Sequence, residues 1–324
     1  MDVICLGILV ADIFASPIDS IPASGHLKLT DQFLLNVGGC AANTAANLRR
    51  LGQNVKVLGK IGEDLFGDFV LKELERLGVD VSSVRRSQKH PTASTFILNV
   101  RGEDRRYIHC IGSNADLTFA DVDCSMLDGA HALYVGGYLA MPAFGSHDLT
   151  QLFREAKRRS LTTVLDVVIP AGDPLSPEQV RSMLAHTDVF LPNDDEAFAL
   201  TGQKEPIAQA DFLAGLNPDC AIVITQGSRG ALVKRGGEVI HANTFNVNSI
   251  DESGAGDAFA AGFLTGLLEG WSLEYTLRFA SAVGASCTRA LGCTTSVFGF
   301  EEAVAFVEEN PLEITRITPG GTPI

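Results

Sequence analysis

Residues 251–257 read Asp-Glu-Ser-Gly-Ala-Gly-Asp, and a run of helical character follows from Ala258. Small residues beside an acid at the start of a helix suit one kind of chemistry. The first N–H groups of a helix lack intrahelical partners and carry partial positive charge, so Gly254, Ala255 and Gly256 can offer backbone donors to a phosphate. A carboxylate at Asp257 repels that phosphate, and its use there is to take a proton from an attacking hydroxyl. The local reading is phosphoryl transfer. A glycine-rich loop ahead of an N-capped helix fits the same letters, so the stretch alone leaves both open. Two better-known phosphate loops do not fit. No Gly-Lys-Ser/Thr follows four residues after a glycine, and Phe259 stands where a dinucleotide fingerprint needs its third glycine.

Other clusters follow apolar, strand-like runs. Asp12 comes after the first run, Asn193-Asp194-Asp195-Glu196 after the run ending at Pro192, and Thr225-Gln226-Gly227-Ser228-Arg229-Gly230 after another. Open α/β sheets bind ligands at the carboxyl ends of their strands, where these clusters fall. Gly38-Gly39-Cys40-Ala41-Ala42-Asn43 opens a helix; its glycines admit a ligand to the backbone, and Asn43 can donate and accept hydrogen bonds to hydroxyls. Asp166 also ends a strand-like run, where it can close the strand or face a pocket. Asp64 reads as a helix cap, and the seven histidines show no metal-ligand or triad spacing.

The elements that must position these groups alternate. Val3–Val10, Val55–Leu58, Ala132–Val135, Thr162–Leu165, Val189–Leu191 and Ala221–Thr225 read as buried strands. Helices are predicted over Ala41–Leu51, Leu65–Leu77, Ser146–Arg159, Pro177–Ala185 and Asp195–Thr201. This alternation predicts an α/β fold with a mostly parallel central sheet covered on both faces. Two segments break the rhythm by alternating polar and apolar residues: His26–Leu35, and Thr92–Val100 continuing through 101–104 into Arg105–Cys110. They read as hairpin-like, half-exposed strands of a small sheet, either a lid over the strand ends or an ordinary surface hairpin. The organisation expected is one α/β domain over 1–314, with lid strands inserted at about 12–37 and 90–112, and a loose tail at 315–324.

With 324 residues, 46% of them apolar, the chain can bury a large core and is not intrinsically disordered. A net charge of −14 argues against broad binding to nucleic acid or to an anionic membrane. Seven irregularly spaced cysteines without a Cys-x-x-Cys indicate neither a zinc site nor a disulfide framework, and point to a reducing, cytoplasmic compartment. The apolar opening lacks a basic flank and is too short to span a membrane, and no later stretch is long enough.

Five of these stretches stand in a telling order: Gly38-Gly39 with Asn43; Gly59-Lys60-Ile61-Gly62-Glu63-Asp64 with Gly67; Asn193-x-x-Glu196; Thr225-x-Gly227-x-x-Gly230; and Asp251 through Asp257. Over residues 3–308 the sequence resembles the ribokinase-like, or PfkB, carbohydrate kinase family. The resemblance implies a three-layer α/β/α fold with a small β-sheet lid, ATP and Mg²⁺ as cofactors, and a small sugar or sugar acid as acceptor. It implies Asp257 as the base and the backbone of Gly254, Ala255 and Gly256 as the anion hole for the transferring phosphoryl group. Asn193 and Glu196 would organise Mg²⁺ through waters, since Mg²⁺ keeps part of its shell. Thr225, Gly227 and Gly230 would line the nucleotide site, and Asp12, Gly38, Gly39 and Asn43 would hold the acceptor's hydroxyls. A homodimer paired through the lid and a monovalent cation near the anion hole are further implications.

The sequence departs from the family pattern twice. Glu252 stands where members carry Thr, adding a carboxylate that must point to solvent or meet a cation. Tyr138 lies near where ribokinases place an acid, which disfavours ribose itself. A nucleoside kinase of the same family is the alternative reading, and a catalytically silent ligand-binding protein on this fold is another. Retention of Asp257 argues against silence, and a Rossmann dehydrogenase lacks its fingerprint after the first strand. Arg101, Arg105 and Arg106 on the second hairpin, with only Phe96 and Tyr107 as aromatics, favour a sugar or acidic sugar over a purine nucleoside.

Overall fold

The structure is a computed structural model that describes residues 1–15, 18–101, 106–170 and 175–317. The chain opens with β1 (Val3–Gly7), β2 (Val10–Ala15) and β3 (Phe33–Gly38), then α1 (Cys40–Arg50), β4 (Val55–Leu58), β5 (Lys60–Gly62) and α2 (Leu65–Arg76). Next come β6 (Arg85–Ser87), β7 (Ser94–Leu98), β8 (Arg106–Cys110), β9 (Ala132–Gly136), α3 (Ser146–Arg158), β10 (Thr162–Leu165), α4 (Pro177–Leu184), β11 (Val189–Phe190) and α5 (Asp194–Thr201). The remainder holds α6 (Pro206–Leu216), β12 (Ala221–Thr225), β13 (Ala231–Arg235), β14 (Glu238–Ala242), α7 (Ala255–Leu268), α8 (Leu273–Cys287), α9 (Phe300–Glu309) and β15 (Ile314–Ile317).

Nine strands form the large sheet in the order β15-β14-β13-β12-β11-β10-β9-β1-β4. Neighbours from β12 to β4 run parallel, and β13, β14 and β15 extend the far edge antiparallel. Burial on both faces explains why the parallel strands are apolar at successive positions. Along β1, Val3 and Cys5 join the core formed with α1, α7 and α8, while Ile4 and Leu6 join the core formed with α3 to α6. Each such side chain contributes about 1.5–3 kcal/mol by leaving water. Helix α7 is apolar nearly all round, as a helix between sheet and neighbour must be. It lies so close to α8 that a Cβ on Gly262 would sit 2.8 Å from the Ala280 Cα. That packing holds the first turn of α7 in place.

The small sheet runs β3-β2-β7-β8, with β2 antiparallel to β3 and parallel to β7. Its outer strand β8 is exposed at every residue, Tyr107 and Ile108 included. The turn at 102–105, with Arg105, lies outside the described residues.

Three boundaries differ from those the sequence pattern suggests. The run Val3–Val10 is not one strand. β1 ends at Gly7, where a Cβ would lie 2.0 Å from the carbonyl oxygen of Gly136, and Val10 already begins β2 in the other sheet. The alternation over His26–Leu35 yields a strand only from Phe33. Leu27 and Leu29 are 87% and 82% exposed, and among the described residues no strand pairs with them, so their alternation has nothing to bury against. Thr315–Ile317, expected in a loose tail, pair with β14 as part of β15; residues 318–324 lie outside the described residues. Among the described residues no helix is long and apolar enough to cross a membrane.

Candidate active site

Asp257 is the third residue of α7. Ahead of it Gly254 caps the helix at φ 77°, a left-handed conformation that glycine adopts at little cost. A Cβ there would also lie 2.4 Å from the Cys293 Cβ. Ala255 donates its N–H to the Glu252 carbonyl at 3.3 Å, closing the turn. The N–H groups of Gly256 and Asp257 belong to a first helical turn and so have no partner within the helix. Of the expected trio of Gly254, Ala255 and Gly256, Ala255 spends its N–H on this turn, and Asp257 adds a donor of its own. Glu252 is exposed to solvent. Asp251 behind it accepts the N–H groups of Ser253 at 3.0 Å and Gly292 at 3.1 Å, tying two loops together.

Two cavities meet at this turn. The smaller, of about 160 Å³, is lined by Cys40, Asp166, Asn193, Glu196 and Asp257 among others. The larger, of about 510 Å³, runs along Thr225, Gly227 and Gly230 to the loop through Phe245 and Val247 and to α8. Asn193, Thr225, Gly256 and Phe259 line both. A Cβ built on Gly256 would meet nothing within 4 Å, so this residue leaves open space where the cavities join.

The Asp257 carboxylate is held from the far end of the chain. Asn43, in the first turn of α1, donates Nδ2–H to Oδ2 at 2.8 Å. The Cys40 thiol lies beside the same carboxylate, and burial, with Asp257, Asp166 and Glu196 adding to it, pushes the thiol well above its ordinary range. Burial raises Asp257 above the usual carboxylate range, and the bonds from Asn43 and Cys40 oppose that rise. Asn43, expected to face an acceptor, thus commits its amide nitrogen to the base, while its buried Oδ1 has no hydrogen-bond partner among the described residues.

Asp166, at the end of β10, faces the same cavity and accepts the Tyr134 hydroxyl at 2.5 Å. The Cys40 sulfur and an oxygen each of Asp166 and Asp257 lie within 4.8 Å of one another. Burial, with Glu196 and Asp257 adding to it, holds Asp166 well above the ordinary carboxylate range. Cys40 and Tyr134 carried no signal of their own in the sequence; the position of Asp166 after a strand was the one available clue.

Asn193 and Glu196 form a reciprocal cap on α5, each side chain accepting the other's backbone N–H at 2.8 Å. Glu196 is pushed up to about 7 by burial, opposed by the Asn193 N–H and aided by Asp257. The chemistry of this donor set fits a hard divalent cation. Three carboxylates line one small cavity, and none of its described lining residues is cationic.

Asp12 enters from the small sheet, paired in register with Asn36 on β3 and Thr95 on β7. It lies across Gly38, where a Cβ would come within 1.9 Å of its Oδ2. Burial pushes Asp12 up to about 6; the Thr95 hydroxyl opposes this, and Asp257 and Asp251 add to it. The small sheet thus carries a carboxylate within electrostatic reach of Asp257. The lid arginines are placed differently from the expectation: Arg101 pairs with Asp19 at 3.2 Å, and Arg106 sits on the exposed strand β8. Asp64 caps α2 through the Gly67 N–H at 2.9 Å, and Lys60 pairs with Asp121 at 3.1 Å, so that motif is structural.

Comparison with known proteins bears on this geometry. The sequence profile of the pfkB family carbohydrate kinases matches residues 1–298. A ribokinase of Haemophilus influenzae is 26% identical over 310 residues, which cover 93% of this chain and 97% of that protein. A 2-dehydro-3-deoxygluconokinase of Bacillus subtilis is 29% identical over 279 residues, covering 83% and 85%. In fold, the chain resembles Arabidopsis thaliana ribokinase complexed with ribose and ATP, with a TM-score of 0.80 at 23% identity over 95% of this chain and 98% of that one. It also resembles a Methanocaldococcus jannaschii nucleoside kinase, with a TM-score of 0.76 at 20% identity over 95% and 98%. The fold is the ribokinase-like α/β/α sandwich with its small second sheet, and the chain belongs to the pfkB family of carbohydrate kinases.

Proposed function

We propose that this enzyme transfers the γ-phosphoryl group of ATP to a hydroxyl of a small neutral sugar. The observation that carries the reading is the position of Asp257. Its carboxylate, held by Asn43 at 2.8 Å, lines the small cavity beside Gly256, where that cavity opens into one large enough for a nucleotide. The nucleotide lies along Thr225, Gly227 and Gly230, with its terminal phosphate against the first turn of α7. The acceptor lies over Gly38 and Gly39 under the small sheet, which serves as a lid, with Asp12 and the free Oδ1 of Asn43 taking its hydroxyl hydrogens.

The acceptor oxygen attacks phosphorus, Asp257 takes the hydroxyl proton, and the bond from phosphorus to the leaving oxygen of ADP breaks. General-base assistance of this kind is worth about 10²–10⁴-fold. The N–H groups of Gly256 and Asp257 face the charge on the transferring oxygens. Glu196 and Asn193, with Asp166 nearby, would hold Mg²⁺ through water, and the ion would supply charge neutralisation at the phosphates.

The acidity of the small cavity and the pairing of Arg101 with Asp19 favour a neutral sugar over a sugar acid. The exposure of Tyr107 and the contact of Phe96 with Phe33, ring centroids 6.0 Å apart, leave neither aromatic set up to stack a nucleobase. An ADP-release screen with Mg-ATP against neutral pentoses and hexoses, keto-deoxy sugar acids and nucleosides tests the class. A neutral sugar should give the highest kcat/KM. Adenosine, inosine or cytidine exceeding every sugar tenfold would establish the nucleoside reading instead.

Glu196→Gln should raise the Mg²⁺ concentration needed for half-maximal turnover, because it removes the carboxylate charge while keeping an oxygen to accept the Asn193 N–H. A Mg²⁺ titration of the variant that overlays the wild type contradicts the assigned role.

A further inference from the structure

The small sheet carries a row of polar side chains that the reaction above uses only in part. Asn36 on β3, Asp12 on β2, Thr95 on β7 and His109 on β8 stand in register, one from each strand. Register partners point to the same face of a sheet, so the four cross it side by side. The next row on that face is Leu34, Phe14, Ile97 and Tyr107, of which Phe14 and Ile97 are buried. The polar row is turned toward the site. Asp12 lies across Gly38, and Asn36 lies against Gly292, where a Cβ would come within 2.5 Å of its Nδ2. Gly292 in turn donates its N–H to Asp251 in the loop before α7.

Polar groups in such a place are held by partners. The Thr95 hydroxyl oxygen lies 3.1 Å from Nδ1 of His109. Burial raises the Asp12 carboxylate, and its hydrogen bond with the Thr95 hydroxyl opposes that rise. Thr95 has one proton to give, and an ionised carboxylate can only accept. The proton therefore goes to Asp12, and the 3.1 Å contact requires Nδ1–H of His109 to donate to the Thr95 oxygen. The tautomer of His109 and the direction of the Thr95 hydroxyl are fixed together.

We propose, resting on the kinase reading above, that Thr95 and His109 are positioning residues of the acceptor site: His109 donates to Thr95, Thr95 donates to Asp12, and the carboxylate is held turned toward the acceptor's hydroxyl. Neither side chain has to touch the sugar. The outermost strand of the lid, exposed along its length, thus contributes to acceptor binding through two successive hydrogen bonds. A grip on a hydroxyl that does not react is shared by ground state and transition state, so its loss falls on the KM of the sugar rather than on kcat. With the neutral sugar that leads the acceptor screen, Thr95→Val should raise that KM about tenfold, the scale of a lost hydrogen bond to a charged group, and leave the KM of Mg-ATP unmoved. Thr95→Ser, which keeps the hydroxyl, should restore it. His109→Leu should raise the same KM, and His109→Asn, whose amide can donate from the place of Nδ1, should recover it. A valine enzyme with unchanged sugar KM, a serine enzyme as weak as the valine one, or an equal rise for Mg-ATP overturns the proposal.

The imidazole gives a test that needs no acceptor. At pH 8 Asp12, pushed up to about 6 by burial, is ionised, and His109, which burial lowers, is neutral. ¹⁵N NMR of histidine-labelled protein, with the His109 signals assigned from their absence in His109→Leu, should find the ring proton on Nδ1 in the wild type. Thr95→Val should lose that preference. A wild-type ring protonated at Nε2 alone would mean that Thr95 donates to His109 and not to Asp12, which overturns the proposal and leaves the kinase reading intact. An Nδ1-protonated ring in a protein that phosphorylates no sugar would instead remove the kinase reading, and the acceptor role of the row with it.

Discussion

Asp257→Asn is expected to lower kcat by roughly a hundredfold or more, while nucleotide affinity is kept or rises. The asparagine preserves the shape and can still accept the Asn43 amide, but it cannot take a proton. It also removes a negative charge from the neighbourhood of the phosphates. The wild-type pH profile should carry the signature of the same group. The active base is ionised, and burial holds its pKa above the usual carboxylate range, so kcat/KM falls on the acid side at a pH higher than an ordinary aspartate would give. Stability should move in the opposite sense. A carboxylate whose folded-state pKa exceeds its unfolded one penalises the fold increasingly as pH rises between the two values, and fully above both. The Asn variant lacks that penalty, so urea denaturation should find it at least as stable as wild type at pH 8, with the difference shrinking toward pH 4. A less stable variant at pH 8 with near-normal turnover would remove both the chemistry and the electrostatics assigned here.

Gly256→Val is expected to abolish turnover, by about a hundredfold or more, the scale on which lost anion-hole contacts are felt. Its cost to folding should be small. A Cβ at this position meets nothing within 4 Å, and valine in a helix is no worse than the glycine it replaces. The added methyls instead fill the junction of the two cavities, where the terminal phosphate must lie. The expected result is a folded protein, with unchanged denaturation midpoint, that binds Mg-ADP weakly and does not turn over. A Gly256→Val enzyme as active as wild type would place the phosphate site elsewhere. Gly254→Val is the uninformative neighbour, because the same loss would follow from its left-handed backbone and its collision with Cys293.

Much of this site is legible in the sequence because it is built from local patterns. The first turn of α7, the reciprocal cap of Asn193 and Glu196, and the turn after β12 each occupy a few consecutive residues. Strand–helix alternation likewise gives β4, β10 and β12 to the residue, because burial on both faces leaves an unbroken apolar run. What escapes such reading is contact at long range. Asn43 and Asp257 are 214 residues apart, and no local pattern announces that one amide will hold the other's carboxylate. The Tyr134–Asp166 bond and the Cys40 thiol are hidden for the same reason. Alternation misleads over 26–32, where a strand-like pattern has no partner strand, and at Gly7, where contact with Gly136 ends β1 early. The hairpin arginines are the instructive case. Their charge in sequence favours a sugar or acidic sugar over a purine nucleoside, whereas Arg101 is paired with Asp19 on the surface.

The most direct test of the account is ³¹P NMR of Mg-ATP with the best neutral sugar from the acceptor screen, run in parallel with wild type and Asp257→Asn. The account predicts a phosphomonoester resonance that grows with ADP in the wild type and is nearly absent in the variant over the same time. A resonance growing at equal rates in both would contradict it.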